Sequence, residues 1–353
     1  MTVVHLLPAL EQGGVESVVI DLNRALVSRG CSSVVISRGG RLVERILRDG
    51  GRHVTLDLKS KNPLTCLFRA FALKRALEQI LDEVAPEPVI VAAHSRVPAW
   101  LFVLARKFSD CLRGVRWITY AHGANSVSRY SAVMTFGDLT VVPSKFLAGF
   151  LKENYHLPAE RLRVVNPAVD GERFDPEKLD RAFMDEKRRE WGIAAGERVL
   201  MTVGRISPVK GLEALIRDFV NGKYPEDRLV IVGGADVNHL QYLDMLKVMA
   251  SVANGKVVFA GPQSKVPECL ALADTVVSAN TVKPESFGLS VVEAYAMGKP
   301  VVARRFGGVG EIMEDVGKLM ASKGLDLRHA VLELYGFDRF ADRTLEAYSS
   351  LVK

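Results

Sequence analysis

Two cations frame a turn, Gly204-Arg205-Ile-Ser-Pro-Val-Lys210-Gly211, that directly follows the short apolar run Val199 to Val203. A guanidinium can fork onto phosphate oxygens and an ammonium adds a point charge beside it, so the pair suits a diphosphate; two surface cations are the plain alternative. Further along, Lys283-Pro-Glu-Ser-Phe-Gly-Leu-Ser-Val-Val-Glu-Ala-Tyr-Ala-Met-Gly298 carries carboxylates at Glu285 and Glu293. Glu293 is the only charge between Gly288 and Gly298, set among Leu289, Val291, Val292, Ala294, Tyr295 and Met297. A carboxylate in such company is costly unless cations or hydroxyl donors face it, and the adjacent hydroxyls of a ribose would serve. Glu285 lies just before the predicted helix, where the backbone amides of Phe287, Gly288 and Leu289 could cradle a phosphate or a sugar. A salt bridge to Lys283 or Lys299 is the simpler reading of that residue.

The first half of the chain offers two further places. Gly13-Gly14 follows an apolar run and a short loop and opens a helical pattern at Val15. Two residues without Cβ let a phosphate approach the backbone at a helix N-terminus, although a tight turn would need them equally. The pair is not a G-x-G-x-x-G fingerprint, and Gly298-Lys299 is followed by Pro300, so no phosphate loop of the Walker type occurs. Ile118-Thr-Tyr-Ala-His122-Gly123 delivers a histidine at a strand end. A lone histidine is more often structural, but His122 is better placed for chemistry than His5, His53, His156, His239 or His329.

The elements that must position these residues alternate. Val3 to Leu7, Ser33 to Ser37 and Val89 to Ala93 are strand-like runs followed by helical-period segments Val15 to Arg29, Leu42 to Asp49 and Trp100 to Phe108. The alternation resumes with strands Val199 to Val203, Leu229 to Val232, Val257 to Ala260, Thr275 to Ser278 and Val301 to Ala303. Runs rich in Val, Ile and Leu separated by helices predict parallel sheets covered on both faces, hence an α/β protein of two doubly wound units. Ligands of such sheets sit beyond the strands' carboxyl ends, where all four candidate sites fall. The turn-rich Val164-Val-Asn-Pro-Ala-Val-Asp-Gly171 predicts the boundary, giving domains 1–168 and 169–336. Phe340, Leu345, Tyr348 and Leu351 give the final segment, Phe337 to Lys353, a helical period that would let it pack on either domain.

The 353 residues, 48% hydrophobic and 25% charged, exclude disordered, collagen-like and coiled-coil chains. Cys31, Cys66, Cys111 and Cys269 lie too far apart for a zinc cage or a disulfide framework, which favours a reducing cytosol. The opening run reads as a first strand and not as a signal peptide. The longest apolar stretch, Val89 to Ala105, is broken by His94, Ser95, Arg96 and Pro98, so any membrane contact is expected to be peripheral. Net charge is +6 overall (47 Lys+Arg, 41 Asp+Glu), but residues 1–168 carry 22 against 14, or +8. Arg41, Arg45, Arg48 and Arg52 cluster with Lys59, Lys61, Arg69, Lys74 and Arg75 around the apolar stretch Leu64 to Leu81. Such a surface suits an anionic leaflet or an anionic acceptor; a solvated basic helix face is the alternative. No aromatic-interleaved basic motif points to nucleic acid.

Taken in order, these pieces resemble the retaining glycosyltransferases of family 4, the group 1 transferases of GT-B fold. The matching residues are Gly-Gly-Val-Glu (13–16), His-Gly (122–123), Val-Val-Pro-Ser (141–144), Asn166-Pro167 with Phe174, Gly-Arg-x4-Lys-Gly (204–211), Glu285 and Glu293, Gly-Lys-Pro-Val-Val-Ala (298–303) and Gly-Gly-Val-Gly-Glu (307–311). The resemblance implies two Rossmann-like domains facing a cleft, an acceptor-binding first domain, a nucleotide-sugar-binding second domain and a C-terminal helix 337–353 returning to the first. It implies that Arg205 and Lys210 bind the donor's diphosphate, Glu293 its ribose and Glu285 the sugar hydroxyls. Gly14 would close over the phosphates and His122 would stand beside the transferred sugar. With no Asp-x-Asp triplet and no placed carboxylate nucleophile, metal-free front-face transfer with retention is expected, and no cofactor besides the donor. The expected setting is the cytosol, at the inner face of the membrane, in lipopolysaccharide, capsule or other envelope glycan synthesis. A sugar-nucleotide epimerase or hydrolase, and a non-catalytic sugar-nucleotide-binding scaffold, are the rival functions.

Overall fold

The structure is a computed structural model and describes every residue except Gln12, Lys61, Thr281, Val282 and Lys353. Lys61 of the basic cluster and Lys353 at the end of the C-terminal segment therefore lie outside the described residues. The chain forms two compact units, Met1–Ala168 with Phe337–Lys353, and Val169–Gly336.

The first unit holds β1 (Thr2–Leu6), β2 (Ser32–Ser37), β3 (Arg52–Thr55), β4 (Val89–Ala93), β5 (Arg116–Tyr120), β6 (Leu139–Val142) and β7 (Leu162–Val164). They pair in the order β3-β2-β1-β4-β5-β6-β7, all parallel. β1 and β4, side by side at the centre, are buried on both faces, as their mostly apolar composition requires, with Thr2 and His5 of β1 the polar exceptions. Helix α1 (Gly14–Ser28) covers one face, and α2 (Pro63–Val84) with α3 (Arg96–Lys107) covers the other. Asn62 starts α2, its side-chain oxygen accepting from the amides of Leu64 at 3.0 Å and Thr65 at 3.3 Å. Past that cap the helix leaves Leu64 and Phe68 mostly exposed.

The second unit holds β8 (Val199–Val203), β9 (Arg228–Val232), β10 (Val257–Gly261), β11 (Thr275–Ser278) and β12 (Val301–Ala303), in the parallel order β10-β9-β8-β11-β12. Its helices α4 (Leu212–Val220), α5 (Leu289–Ala296) and α6 (Gly308–Lys323) follow β8, β11 and β12. The turns after β8 and β9 are laced together: the Gly204 amide donates to Val232 O and the Ile206 amide to Gly234 O, both at 2.9 Å. Gly233 makes this possible, with φ +144°, and a Cβ there would sit 1.8 Å from the Gly204 carbonyl oxygen. Gly233→Ala is therefore expected to cost roughly 2 kcal/mol or more and to lower the melting temperature by about 5 °C. Calorimetry checks this; an unchanged melting temperature would mean that the turn yields freely.

The last helix, α7 (Phe337–Ser349), packs on α1 within the first unit. Phe340, Ala341, Ala347 and Tyr348 are buried there, and the Tyr348 ring lies 6.5 Å from that of Tyr120 on β5. Arg24 stacks over Phe337 at 4.4 Å, and Arg343 donates to Asn166 Oδ1 at 2.9 Å. Arg29 also bonds Asp342 at 2.8 Å, an exposed pair whose contribution is small beside the apolar burial.

Candidate functional site

In the second unit the strand order reverses at β8, and the residues beyond the carboxyl ends of β8 and β11 form a pocket. Thr202, Gly204, Arg205, Lys210, Ser278 and Asn280 are among its lining. Arg205 is exposed, whereas Lys210 is half-buried and forms an ion pair with Glu285. The expected alternatives, Lys283 and Lys299, are not the partner. Lys299 Nζ instead donates to the Ala271 carbonyl at 2.9 Å.

Glu285 is held by backbone contacts. The Gly308 amide donates to its carbonyl at 2.8 Å, and Glu285 and Gly307 pair as an isolated parallel bridge. A Cβ on Gly308 would come within 2.5 Å of Phe287 Cα, so the loops after β11 and β12 meet main chain to main chain. Gly288 caps α5 with φ +124°, leaving the first amides of the helix without intrahelical partners. Phe287 is itself a core residue, its ring edge-on to Tyr335 at 5.5 Å, so only its backbone is free to meet a ligand. Leu289 is partly buried against the same core.

Acceptors outnumber donors in this region. Glu285 Oε2 and Asn280 Oδ1 are buried and receive no hydrogen bond from the described residues. Glu293, on α5, is partly buried, and burial pushes its carboxyl up to about 7, with the charge of Arg173 opposing the rise. A ligand rich in hydroxyls would supply what these oxygens lack.

In the first unit, Gly13 caps α1 with an extended φ of 171°, and the space beside it is taken by the Glu16 carboxylate. A Cβ on Gly13 would lie 2.5 Å from Glu16 Oε2, the mobile end of that side chain. His122 follows β5 and bonds through Nε2 to Nδ1 of His94 at 3.1 Å; His94 Nε2 in turn meets His5 Nδ1 at 3.0 Å. Burial lowers all three, His122 to about 4, His5 to about 3 and His94 well below 6.5.

Two family models match the chain, "Glycosyltransferase Family 4" over residues 12–173 and "Glycosyl transferases group 1" over residues 183–323. The chain belongs to the group 1 glycosyltransferases. The chain is 32% identical over 257 residues to a D-inositol 3-phosphate glycosyltransferase of Thermobispora bispora, covering 63% of this chain and 58% of that protein. The chain thus spans a little over half the length of that curated relative. Its fold matches a Rickettsia africae glycosyltransferase with TM-score 0.82 and 24% identity, covering 100% of this chain and 98% of that one. It also matches Anabaena HepE in complex with UDP and glucose, with TM-score 0.80 and 18% identity, over 99% and 100% of the two chains. The architecture is GT-B, with Rossmann-like sheets of seven and five parallel strands.

Within the second unit the structure brings Arg205, Lys210 and Glu285 to one strand-end region, with α5 opening beside it. It adds Asn280, a neutral residue that no charge or glycine marks as functional. His94 and His5 of the first unit line up behind His122 as well. The sequence marks them only as one histidine just after β4 and another inside β1, neighbouring strands that are otherwise mostly apolar.

Proposed function

We propose that the protein transfers a sugar from a nucleoside diphosphate sugar to a hydroxyl of a carbohydrate or glycolipid acceptor, with retention at the anomeric carbon and without a metal ion. The observation that carries this reading is the meeting of two cations, helix amides and unsatisfied buried acceptors at one switch point of the second sheet. Arg205, Lys210 and the first amides of α5 stabilise the negative charge that builds on the departing diphosphate, the work a metal would otherwise do. Glu285 accepts from sugar hydroxyls and Glu293 from the ribose. Gly14 serves the phosphates from the first unit, and His122 serves the sugar.

The acceptor oxygen bonds to the anomeric carbon on the face from which the phosphate oxygen leaves, and that phosphate takes the acceptor's proton. Support for this donor comes from HepE, whose structure carries UDP and glucose, and for an acceptor hydroxyl from the relatives named for inositol 3-phosphate.

An envelope glycolipid, as in lipopolysaccharide or capsule synthesis, is the proposed acceptor class. The +8 balance of residues 1–168 suits an anionic acceptor or leaflet. Leu64 and Phe68 are exposed one turn apart on α2, Phe71 follows and stacks on Phe108 at 4.7 Å, and a cavity of about 520 Å³ lined by Cys66, Trp100 and Leu104 lies nearby. Among the described residues no helix is long and apolar enough to cross a membrane, so the proposed contact is peripheral, from the cytosolic side.

A thermal-shift panel of nucleotide sugars followed by single-turnover loss of sugar from the stabilising one tests the reading. The transfer reading expects acceleration by an acceptor. Equal loss without acceptor would make the protein a hydrolase, and no loss would make it a scaffold.

A further inference from the structure

The three histidines of the first unit pose a problem of direction. His5 Nδ1 meets His94 Nε2 at 3.0 Å, and His94 Nδ1 meets His122 Nε2 at 3.1 Å. One end of this chain, His5 Nε2, is buried and has no partner among the described residues. The other, His122 Nδ1, has no hydrogen-bond partner among the described residues, and His122 as a whole is only partly buried. The rings are held as a stack against one neighbour: His94 lies 4.6 Å and His122 5.8 Å from the Tyr120 ring, which is itself packed beside Tyr348.

Each uncharged imidazole carries one N–H and one lone pair, so both bonds must run the same way. If the protons point toward His5, its Nε2 carries an orphaned buried N–H. If they point toward His122, the only unsatisfied atom is a lone pair on His5 Nε2. A buried donor without an acceptor is the rarer and costlier defect. A charged His94 donating in both directions would be the third arrangement, but the ionisable groups acting on it are His5 and His122, and both lower its pKa along with burial.

We propose that His5 and His94 are positioning residues that lock His122 in the tautomer with its proton on Nδ1, so that His122 meets the substrate as a hydrogen-bond donor and not as a base. This role rests on the transfer reading above and deepens it. A donor there can hold a sugar oxygen or a developing negative charge, while the acceptor's proton goes to the departing phosphate. Second-layer partners fix histidine tautomers in the same way in metal sites.

The test has two arms. In the first, nitrogen-15 histidine spectra of the intact wild-type protein at pH 7, assigned with single histidine variants, read the protonated nitrogen of each ring. The proposal expects the proton on Nδ1 and a bare Nε2 for His5, His94 and His122. A proton on Nε2 of His122, or a charged ring there, overturns it. In the second arm, His94→Asn retains an amide N–H about where Nδ1–H stood, whereas His94→Leu retains none. His94→Asn is expected within about threefold of wild-type turnover and His94→Leu at least about tenfold below it, with free-nucleotide binding unchanged in both. Equal losses in the two variants would make His94 mere packing and overturn the positioning role. Should His94→Leu fail to fold, the wild-type spectrum still decides the tautomer. A wild type that transfers no sugar sinks the transferase reading alone, since the spectrum does not depend on turnover.

Discussion

Lys210→Ala is expected to lower turnover about a hundredfold or more, with little change in melting temperature. In the proposed reaction Lys210 would face two partners. Without ligand its ammonium pairs with Glu285, and with donor bound it would share that charge with the diphosphate. Deleting it removes a positive group from the leaving phosphate, and losing one such preorganised donor costs about 2.7 to 4 kcal/mol of transition-state stabilisation. It also leaves Glu285, one of whose oxygens already lacks a donor, without its counter-charge. Both partners keep a fifth to a quarter of their side-chain surface in solvent, so the ion pair itself holds the fold by about 1 kcal/mol or less. The rate loss is therefore separable from unfolding. Arg205→Ala, at the exposed rim, is expected to lose about tenfold, because its charge is better screened. Single-turnover rates with saturating donor check both. Unchanged rates in the two variants would remove the diphosphate from this turn.

Several elements could be read directly from residue type. β8, β11 and β12 begin and end where their Val-rich runs do, since none of them carries a charged residue to blur the run. β3, with the sequence Arg-His-Val-Thr, and β7, with Leu-Arg-Val, are harder to read from residue type because each is short, partly exposed and interrupted by a basic residue.

The candidate site divides the same way. Arg205, Lys210 and Glu285 announced themselves as charges at turns, but their pairing did not. Lys210 and Glu285 are 75 residues apart and meet because β8 and β11 are neighbours, a fact of strand order that no local spacing encodes. The histidine chain has the same origin, since His5, His94 and His122 sit on or just after the three adjacent strands β1, β4 and β5. The period of Phe340 and Tyr348 predicted a helix but could not say which surface covered it. The structure answers with α1 and Tyr120.

Binding of a nucleotide sugar is expected to weaken about tenfold as the pH falls from 8 to 6, and Glu293→Gln is expected to remove that slope. Burial holds the Glu293 carboxyl at about 7, above its ordinary 4.5, so the folded protein binds a proton there that the unfolded chain has released. The sign follows: free of ligand, the fold loses stability as pH rises from about 4.5 through 7, because a carboxylate held partly out of water is being ionised in place. Ribose hydroxyls would reverse this by donating to the ionised form, so binding lowers the carboxyl's pKa and expels the proton. At pH 8 the site is already ionised; at pH 6 roughly nine molecules in ten are protonated and must release the proton on binding. The diphosphate of a nucleotide sugar has no proton to exchange over this range, which leaves Glu293 as the proposed source of the slope. Titration calorimetry in two buffers of different ionisation enthalpy measures the released proton directly. Glu293→Gln should bind weakly at every pH, with or without the sugar, because the amide returns one acceptor where the carboxylate offered two. A variant that kept the wild-type slope would place the titrating group elsewhere, and one that bound free nucleotide as tightly as wild type would separate Glu293 from the ribose.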